Sequence, residues 1–109
     1  MTGRDAVQVR DNPGESRYEI YVDDRLAGFT QYVVDGPVTD FVHTEVDDEF
    51  SGRGLASQLI QQALDDARRR GWQVMPYCRF VKGFIAKHPE YRDLVPAAQR
   101  ERFGLADQH

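Results

Sequence analysis

Two glycines separated by one residue, Gly52 and Gly54, stand immediately before an apolar stripe with helical spacing that begins at Leu55. The first backbone N–H groups of a helix have no partner inside it and carry the positive end of its dipole, so they readily bind anions. Glycines at that point let a phosphate approach the backbone with no Cβ in the way, and Arg53 between them could add a positive charge. The alternative is that both glycines only form a tight turn between a strand and a helix.

The segment fits neither of two common phosphate-binding loops. A Walker-type loop requires Gly-Lys followed by Ser or Thr, and that sequence does not occur in the chain. A Rossmann fingerprint requires the glycines directly after a parallel strand, and an acidic residue at the end of the next strand. Here "DDEF" separates the strand from the glycines, and the next predicted strand, 72–78, contains no acidic residue. Dinucleotide binding is therefore not expected.

A second pair of residues that could do chemistry, His43 and Glu45, lies on a strand predicted over 38–46. Strict alternation places them on one face together with Phe41, with their Cα atoms roughly 7 Å apart. The other face then carries three valines that we expect to contact the helix: Val38, Val42 and Val46. His43 or Glu45 could accept a proton from a nucleophile. The alternative roles are an exposed ion-pair partner and a structural histidine.

The whole chain limits what these residues can do. Its 109 residues fit one domain with one core, and its net charge of -4 argues against a nucleic-acid-binding face. A single cysteine, Cys78, can form no internal disulfide, which favours a reducing, cytoplasmic location. The sequence has neither a signal-peptide-like apolar run at its N-terminus nor an apolar stretch long enough to span a bilayer. The three histidines lack paired ligand spacing, so no metal site is expected: His43, His88 and His109.

Turn signals and strand-forming residues predict the first half of the fold. Runs rich in Val, Ile, Tyr, Phe and Thr are separated by "NPG", "DD" and "DGP", a pattern typical of hairpins. We predict strands in an antiparallel meander near residues 6–11, 16–22, 26–34 and 38–46.

The second half changes to helical periodicity. An apolar stripe predicts a helix over 55–70, ended by Gly71, with a polar side that includes Asp65 and Asp66. A strand follows over 72–78. A second helix is then predicted from an apolar stripe that ends before Pro89: Phe80, Val81, Phe84 and Ile85. The predicted fold class is α/β, in the α+β sense, with about five mostly antiparallel strands and two main helices.

Four segments of the chain together resemble the GCN5-related N-acetyltransferases. "TEVDDEFSGRGLASQLIQQALDDARRRG" is similar to motif A of that family, whose usual form is Gln or Arg, two residues, Gly, one residue, then Gly or Ala. Glu49 stands where the family usually has Gln or Arg. "HTEV", "GRGLA", "PYCRFV" and "HPEYRDLV" resemble the small, single-domain branch called YjdJ-type or GCN5-like "CG" acetyltransferases. The resemblance covers about residues 17–95.

The resemblance implies one minimal N-acetyltransferase domain over residues 1–109, with a core of about 6–95 and a partly irregular tail over 96–109. It implies acetyl-CoA as cosubstrate and no metal. The pyrophosphate would lie at the amides of the glycine loop, and the pantetheine between strands 38–46 and 72–78. Full-size members have extra helices and strands for which this chain is too short, so an open acceptor side is expected. The implied cofactor-binding residues are Val46, Phe50, Ser51, Gly52, Arg53, Gly54, Leu55 and Lys82.

Acetyl transfer to an amine would require a base and an acid. A lysine-like amine has a pKa of about 10.4 and must lose a proton before it can attack. His43 is a candidate base because imidazole titrates near neutral pH. Glu45 is slightly favoured because the family often has a glutamate on this strand. Cys78 could protonate the departing thiolate, carry the acetyl group transiently or only fill space; Tyr77 is the alternative acid, although alternation places it on the opposite face.

The expected partner is an amine acceptor, either a small molecule or an amine of a protein or peptide, attacking directly in a ternary complex. Neither nucleic acid nor membrane is an expected partner. Two alternatives to an enzyme remain open at this point. One is a non-catalytic acyl-CoA-binding or interaction module, and the other is a nucleotide-binding regulator.

Overall fold

A computed structural model of the chain describes residues 6–105. The strands are β1 (Val7–Asn12), β2 (Arg17–Val22), β3 (Arg25–Asp35), β4 (Val38–Val46) and β5 (Gln73–Pro76). The helices are α1 (Leu55–Arg69), between β4 and β5, and α2 (Arg79–Lys87), after β5. Short 3-10 turns occupy Pro13–Glu15, Asp48–Phe50, Pro89–Leu94, Ala97–Gln99 and Glu101–Phe103. The predicted order of four strands, helix, strand and helix is confirmed.

The five strands form one mixed sheet in the spatial order β1-β2-β3-β4-β5. The first four are antiparallel neighbours, and β5 pairs with β4 in parallel. The hairpin turns occur where the sequence predicts them: Asp23 and Asp24 have φ of 50° and 68°, and Gly36 has φ of 62°. A parallel partner for β4 requires a crossover connection, and α1 provides it.

One face of the sheet carries the hydrophobic core, which α1 and α2 cover. Its largest fully buried side chains come from the sheet and both helices: Phe41, Ile20, Leu59, Ile60, Leu64 and Ile85. Val95, Phe103 and Leu105 belong to the same core, so the chain after α2 packs back onto it. Residues 106–109 of the predicted irregular tail lie outside the described residues.

An extra residue in β4 overturns the alternation expected for that strand. Gln31 of β3 pairs with His43 and Tyr32 with Phe41, which leaves Val42 as the inserted residue of a β-bulge. The side chains buried under the helices are therefore Thr39, Phe41 and Thr44. The expectation that Val42 contacts the helix is wrong, because its side chain is 43% exposed. The expectation that Phe41 shares a face with His43 and Glu45 is also wrong, because the bulge lies between them and leaves Phe41 on the buried face.

The last turn of α1 is held to the first three strands by a polar network. Asp66 accepts a hydrogen bond from the Tyr18 hydroxyl and pairs with Arg70 at 3.0 Å. Arg70 also donates to Asp11 (2.9 Å), which accepts from the Tyr32 hydroxyl (2.6 Å). Burial and the hydrogen bond with Asp66 raise the pKa of Tyr18 well above its usual value, so Tyr18 stays a donor. The expectation that Asp66 faces solvent is wrong, since its side chain is only 14% exposed.

The opposite face of the sheet has no helix over it within residues 6–105, yet it contains a buried carboxylate. Glu19 accepts hydrogen bonds from Arg17 Nε (2.7 Å), the Tyr21 hydroxyl (2.7 Å) and Asn12 Nδ2 (3.1 Å). Burial alone would raise the pKa of Glu19, but these three donors outweigh it and hold the pKa below its usual value. Arg17 also stacks on the Phe29 ring, 4.5 Å from its centroid. The uncovered face is therefore an ordered surface.

We expect Glu19→Gln to lower the free energy of unfolding at pH 7 by about 1–3 kcal/mol, because it removes a buried, charged acceptor. A carboxylate with a depressed pKa stabilises the fold above its unfolded-state pKa, and that contribution disappears as pH falls through the folded-state pKa. The difference in free energy of unfolding between wild type and Glu19→Gln should therefore become smaller as the pH falls. Urea unfolding between pH 7 and pH 3 measures it, with the exposed Glu101→Gln as control. A gap that stays constant over this range would contradict the assignment.

Candidate functional site

The candidate site begins where β4 and β5 separate. The two strands pair from Val38 with Gln73 to Phe41 with Pro76, and the Cys78 N–H donates to the Phe41 carbonyl (2.8 Å). β5 ends at Pro76, whereas β4 continues to Val46. The sequence predicted a longer strand over 72–78. The shorter one is expected physically, because proline offers no N–H for a continuing ladder.

Beyond Phe41, the edge of β4 is open on the side that β5 has left. The Asp47 N–H donates to the Ala27 carbonyl of β3 (2.8 Å). Because backbone groups alternate in direction along a strand, those of Thr44 and Val46 point away from β3, toward the open side. They can hydrogen-bond an extended ligand in the way a further strand would.

Three grooves with shared lining residues lie beside this open edge and the start of α1, and together they are called the channel. The strand groove, of about 600 Å³, is lined by Val42, His43, Thr44, Tyr77, Cys78, Arg79 and Phe80. The loop groove, of about 450 Å³, runs from Thr44, Glu45 and Val46 to Phe50, Ser51, Gly52 and Gly54, and on to Leu55, Ala56, Ser57 and Phe80. The helix groove, of about 300 Å³, lies between α1 and α2 and is lined by Ala56, Ser57, Ile60, Arg79, Phe80, Gly83, Phe84, Lys87 and His88. Neighbouring grooves share residues, and Phe80 lines all three.

The glycine loop opens α1 with its amides exposed. Gly52 and Gly54 have φ of +80° and +72°, and a Cβ at either would meet nothing within 4 Å. Glycine is therefore favoured here by backbone conformation, and the space above it is free. Gly54 is the N-cap of α1, no side chain from the described residues caps the helix, and its first turn contains no acidic residue. These amides are available to an anion.

Two side chains beside the loop have structural partners. Glu49 pairs with Arg25 at 2.8 Å, across to the start of β3. Arg53 lies over the ring of Phe50, 5.4 Å from its centroid, and Phe50 is buried. Leu55 is also buried, so it lines the loop groove mainly through its backbone. The departure of Glu49 from the family motif therefore has a local explanation, because its carboxylate anchors Arg25.

His43 and Glu45 lie side by side at the rim of the channel, on the uncovered face of the sheet. His43 Nε2 is 2.8 Å from Glu45 Oε2, and their side chains are 50% and 60% exposed. His43 lines the strand groove and Glu45 the loop groove. The Phe29 ring, which carries Arg17, lies 6.2 Å from the His43 ring. Both side chains are therefore open to solvent and to a ligand that approaches over this face.

Cys78 lies on the inner wall of the strand groove, at the N-cap of α2. Its residue is 6% exposed, and its Sγ is 3.1 Å from Thr44 Oγ1. Thr44 Oγ1 is in turn 2.8 Å from Thr30 Oγ1. Sequence reasoning missed Thr44, because only the bulge at Val42 turns it toward Cys78.

Tyr77 lines the same groove as Cys78, which corrects the expectation that the two point to opposite sides. Alternation does not apply here, since β5 has already ended at Pro76. The Tyr77 ring is 5.4 Å from that of Phe103, and its hydroxyl accepts a hydrogen bond from Arg102 at 3.4 Å. Both candidate acids therefore face the space where a bound group would lie.

The charged residues of α2 differ in their position relative to the grooves. Lys82 is exposed and lines none of the three grooves, whereas Arg79 and Lys87 line the helix groove. Phe80 was predicted as part of the apolar core stripe, but it is 58% exposed and stands in the channel. Helical periodicity identifies an apolar stripe but not which of its residues other elements cover. The sequence therefore gives no signal that Phe80 lies exposed in the channel.

The remaining features of the chain do not compete with this channel. A separate depression of about 630 Å³, lined among others by Val33, Val34 and Trp72, contains none of the predicted site residues. Residues 6–105 contain no group of three His, Cys, Asp or Glu side chains that could hold a metal ion. His109 lies outside them. No helix in this part of the chain is long and apolar enough to cross a membrane.

Comparison with known sequences relates these features to a family. The family model described as GCN5-related N-acetyltransferase matches residues 17–94. Protein NATD1 of Bos taurus is 33% identical over 52 residues, which are 48% of this chain and 46% of that protein. The match therefore spans about half the length of that relative.

Comparison with solved structures supports the same fold. The solution NMR structure of a GCN5-like proposed N-acetyltransferase from Staphylococcus aureus superposes on this chain with a TM-score of 0.62. The superposition covers 82% of this chain and 87% of that chain, at 23% sequence identity. The α+β fold with its five-stranded mixed sheet is therefore shared.

Proposed function

Since the chain belongs to the GCN5-related N-acetyltransferase family, we propose that it transfers an acetyl group from acetyl-CoA to a primary amine by direct attack in a ternary complex. The observation that carries this proposal is the channel of adjoining grooves. It leads from the point where β4 and β5 separate to the exposed amides of the glycine loop. An extended ligand with an anionic middle section fits that combination.

The channel accounts for each part of acetyl-CoA that the family binds. The amides around Gly52 and Gly54 would hold the pyrophosphate, where the positive end of the α1 dipole favours negative charge. The open backbone edge at Thr44 and Val46 would hydrogen-bond the amides of the pantetheine. Phe80 would close the channel over this arm. Acetyl-CoA supplies the acetyl group already activated as a thioester.

We assign removal of the amine proton to His43 and Glu45 acting as a pair. Their hydrogen bond couples the two groups, and both lie where an acceptor from the uncovered sheet face would meet the channel. One member can accept the proton while the other orients it. The acceptor proposed for this open face is a small-molecule amine or an amine of a protein or peptide.

Cys78 is the proposed donor of a proton to the departing CoA thiolate. Its thiol is on the inner wall of the strand groove, on the opposite side of β4 from His43 and Glu45. The Tyr77 hydroxyl in the same groove is the second candidate. The proton that leaves the amine and the proton that reaches the thiolate thus pass through different side chains.

Two wider proposals accompany this function. The chain forms a single domain over 1–109, supported by the packing of Val95, Phe103 and Leu105 into the common core. Its cytoplasmic location stays a prediction that rests on the single cysteine in the sequence.

We expect Gly52→Ala to weaken binding of acetyl-CoA by about tenfold, because a Cβ would project from the amides that hold the pyrophosphate. Gly71→Ala is the matched control: Gly71 has φ of +72°, nothing within 4 Å of its Cβ position, and lies at the far end of α1. Each substitution should destabilise the fold by about 1–2 kcal/mol through left-handed strain. Calorimetric titration with acetyl-CoA measures the loss of affinity, which should occur in Gly52→Ala and not in the equally strained Gly71→Ala. Equal affinities for acetyl-CoA in the two variants would indicate that Gly52 and Gly54 only form a turn. Competition of ATP or NAD with acetyl-CoA for the protein would instead favour a nucleotide-binding regulator.

Glu45→Gln and His43→Asn should each lower the rate of acetyl transfer by about 10²-fold or more, while acetyl-CoA affinity changes little. The assay follows CoA release with a panel of primary amines as acceptors across pH 6 to 9. Asp40→Asn is the control, since Asp40 is a carboxylate on the same strand that lines none of the three grooves. Tight acetyl-CoA binding with no transfer to any amine would favour the non-catalytic acyl-CoA-binding module instead.

Direct attack predicts that Cys78 stays unmodified when the protein is incubated with acetyl-CoA alone. Intact-mass spectrometry should therefore show no added acetyl group, and Cys78→Ser, which keeps a proton donor, should retain more activity than Cys78→Ala. A stable acetyl group on Cys78 that is then passed to an amine would overturn the direct mechanism and make Cys78 the acyl carrier.

A further inference from the structure

A depression of about 630 Å³ beside β3, here called the valine depression, brings exposed apolar side chains together. Val33, Val34 and Val42 line it and are 53%, 49% and 43% exposed, and the half-buried ring of Trp72 forms part of its wall. Large apolar side chains that lie together on a surface mark a binding site, whereas scattered ones do not. Among residues 6–105, the other exposed large apolar side chains are two in the channel and two elsewhere: Tyr77, Phe80, Val7 and Leu26.

The valine depression adjoins the strand groove close to the proposed bases. Val42 lines both cavities. Gln31, on the wall of the depression, is the cross-strand partner of His43, and residues directly opposite each other on one face of a sheet have neighbouring side chains. The loop groove begins farther along β4, at Thr44. A ligand whose reactive end lies at His43 can therefore extend into the depression, away from the glycine loop.

The valine depression is electrically neutral. No acidic side chain lines it, and the one charged residue among its described lining residues is Arg70. Arg70 pairs with Asp66 at 3.0 Å and with Asp11 at 2.9 Å, and its guanidinium lies over the Trp72 ring, 4.7 Å from the centroid. A positive charge on a ligand would find no partner among these lining residues, and a charge that leaves water without a partner is costly. The depression therefore suits an uncharged, apolar body.

We propose that the valine depression binds the acceptor and selects a small primary amine with one charge and an apolar body, such as an alkylamine of several carbon atoms. This inference rests on the proposed function, which places the acetyl group in the strand groove and the amine at His43 and Glu45. The apolar body would then lie over Gln31 and Val42. The volume of the depression is in the range of pockets that bind small molecules.

The depression contributes by holding the acceptor and takes no part in the bond changes. The neutral amine nitrogen forms a C–N bond to the acetyl carbonyl carbon, and the C–S bond of the thioester breaks. The amine proton passes to the His43–Glu45 pair, and the CoA thiolate takes a proton from Cys78 or Tyr77. Each methylene of the acceptor that leaves water in the depression should raise kcat/KM by up to about fourfold.

The first test measures kcat/KM for linear alkylamines from ethylamine to hexylamine, followed by CoA release at saturating acetyl-CoA. Because these amines share nearly the same basicity, the values should differ through burial alone and rise by about two- to fourfold per methylene. The diamine 1,6-diaminohexane should react about tenfold or more slowly than hexylamine, since its second ammonium group would enter a depression with no acidic partner. A hexylamine-to-ethylamine ratio near one would overturn the inference.

Val33→Ser tests the depression itself. The hexylamine-to-ethylamine ratio of kcat/KM should fall by about threefold or more, because a polar side chain replaces part of the apolar wall. The ratio compares two acceptors on one protein sample, so it does not depend on how much of the variant is folded. Val7→Ser is the matched control, since Val7 is a 41% exposed valine on β1 that lines neither the depression nor the channel. An equal fall in both variants would contradict the assignment.

Val33→Asp supplies an independent readout, because it places a carboxylate where the second ammonium group of a diamine would lie. The ratio of kcat/KM for 1,6-diaminohexane to that for hexylamine should rise by about fivefold or more. Val7→Asp makes the same change in net charge outside the depression and should keep the wild-type ratio. No rise in Val33→Asp would place the body of the acceptor elsewhere.

The outcomes separate this inference from the function on which it rests. Equal transfer to all the alkylamines would overturn the acceptor site and leave the proposed acetyltransferase standing. Transfer to lysine-containing peptides but to none of the alkylamines would replace the small-molecule acceptor with a protein. A concentration-dependent dimer in sedimentation velocity that Val33→Asp dissociates would assign the depression to self-association instead. Binding of acetyl-CoA without transfer to any amine or peptide would remove the proposed function itself.

Discussion

One inserted residue in β4 decides which chemistry the sheet can present. If β4 alternated regularly after the buried Phe41, His43 and Glu45 would lie on the same side, inside the core under the helices. The bulge at Val42 reverses that order, so Thr44 turns inward and the His43–Glu45 pair turns outward. Gly28 helps β4 to take this course, since a Cβ there would lie 2.5 Å from the Glu45 carbonyl oxygen. The two candidate bases are therefore exposed by backbone geometry rather than by their own polarity.

A helix anchored at one end can leave its other end free for a ligand. The C-terminal turn of α1 is tied to β1, β2 and β3 through Asp66 and Arg70, and the neighbouring Asp65 accepts a hydrogen bond from Tyr91 (2.7 Å). Burial and that bond raise the pKa of Tyr91 to about 12, so this contact persists across the physiological pH range. With its apolar stripe buried, α1 does not depend on an N-terminal cap. The uncapped amides at the glycine loop are thus tolerated because stabilisation comes from elsewhere in the helix.

The sequence predicted best those features that depend on local rules, such as turn propensity or periodicity. It predicted least well the features that depend on how two elements pack together. Turn residues and periodicity predicted β4 as Val38–Val46 and the start of α1 at Leu55. They could not predict the bulge at Val42, because an inserted residue leaves no mark in the side-chain pattern until the partner strand is known. The contact between Thr44 and Cys78 joins residues far apart in the chain. The position of Arg79 inside the helix groove and of Lys82 outside it depends on the rotation of α2 against α1, which composition does not encode.

The bulge and the divergence of β4 from β5 act together to give the channel two chemically different sides. Pro76 ends β5 one residue before Tyr77 and two before Cys78, so both candidate proton donors lie where the parallel ladder would have continued. The bulge places the His43–Glu45 pair across the strand from them. In the proposed reaction, an acceptor approaching over the uncovered sheet would meet groups that can take a proton, while a leaving group inside the channel would meet groups that can give one. Because a single strand separates the two sets, the proposed reaction would keep their roles distinct without any change in conformation.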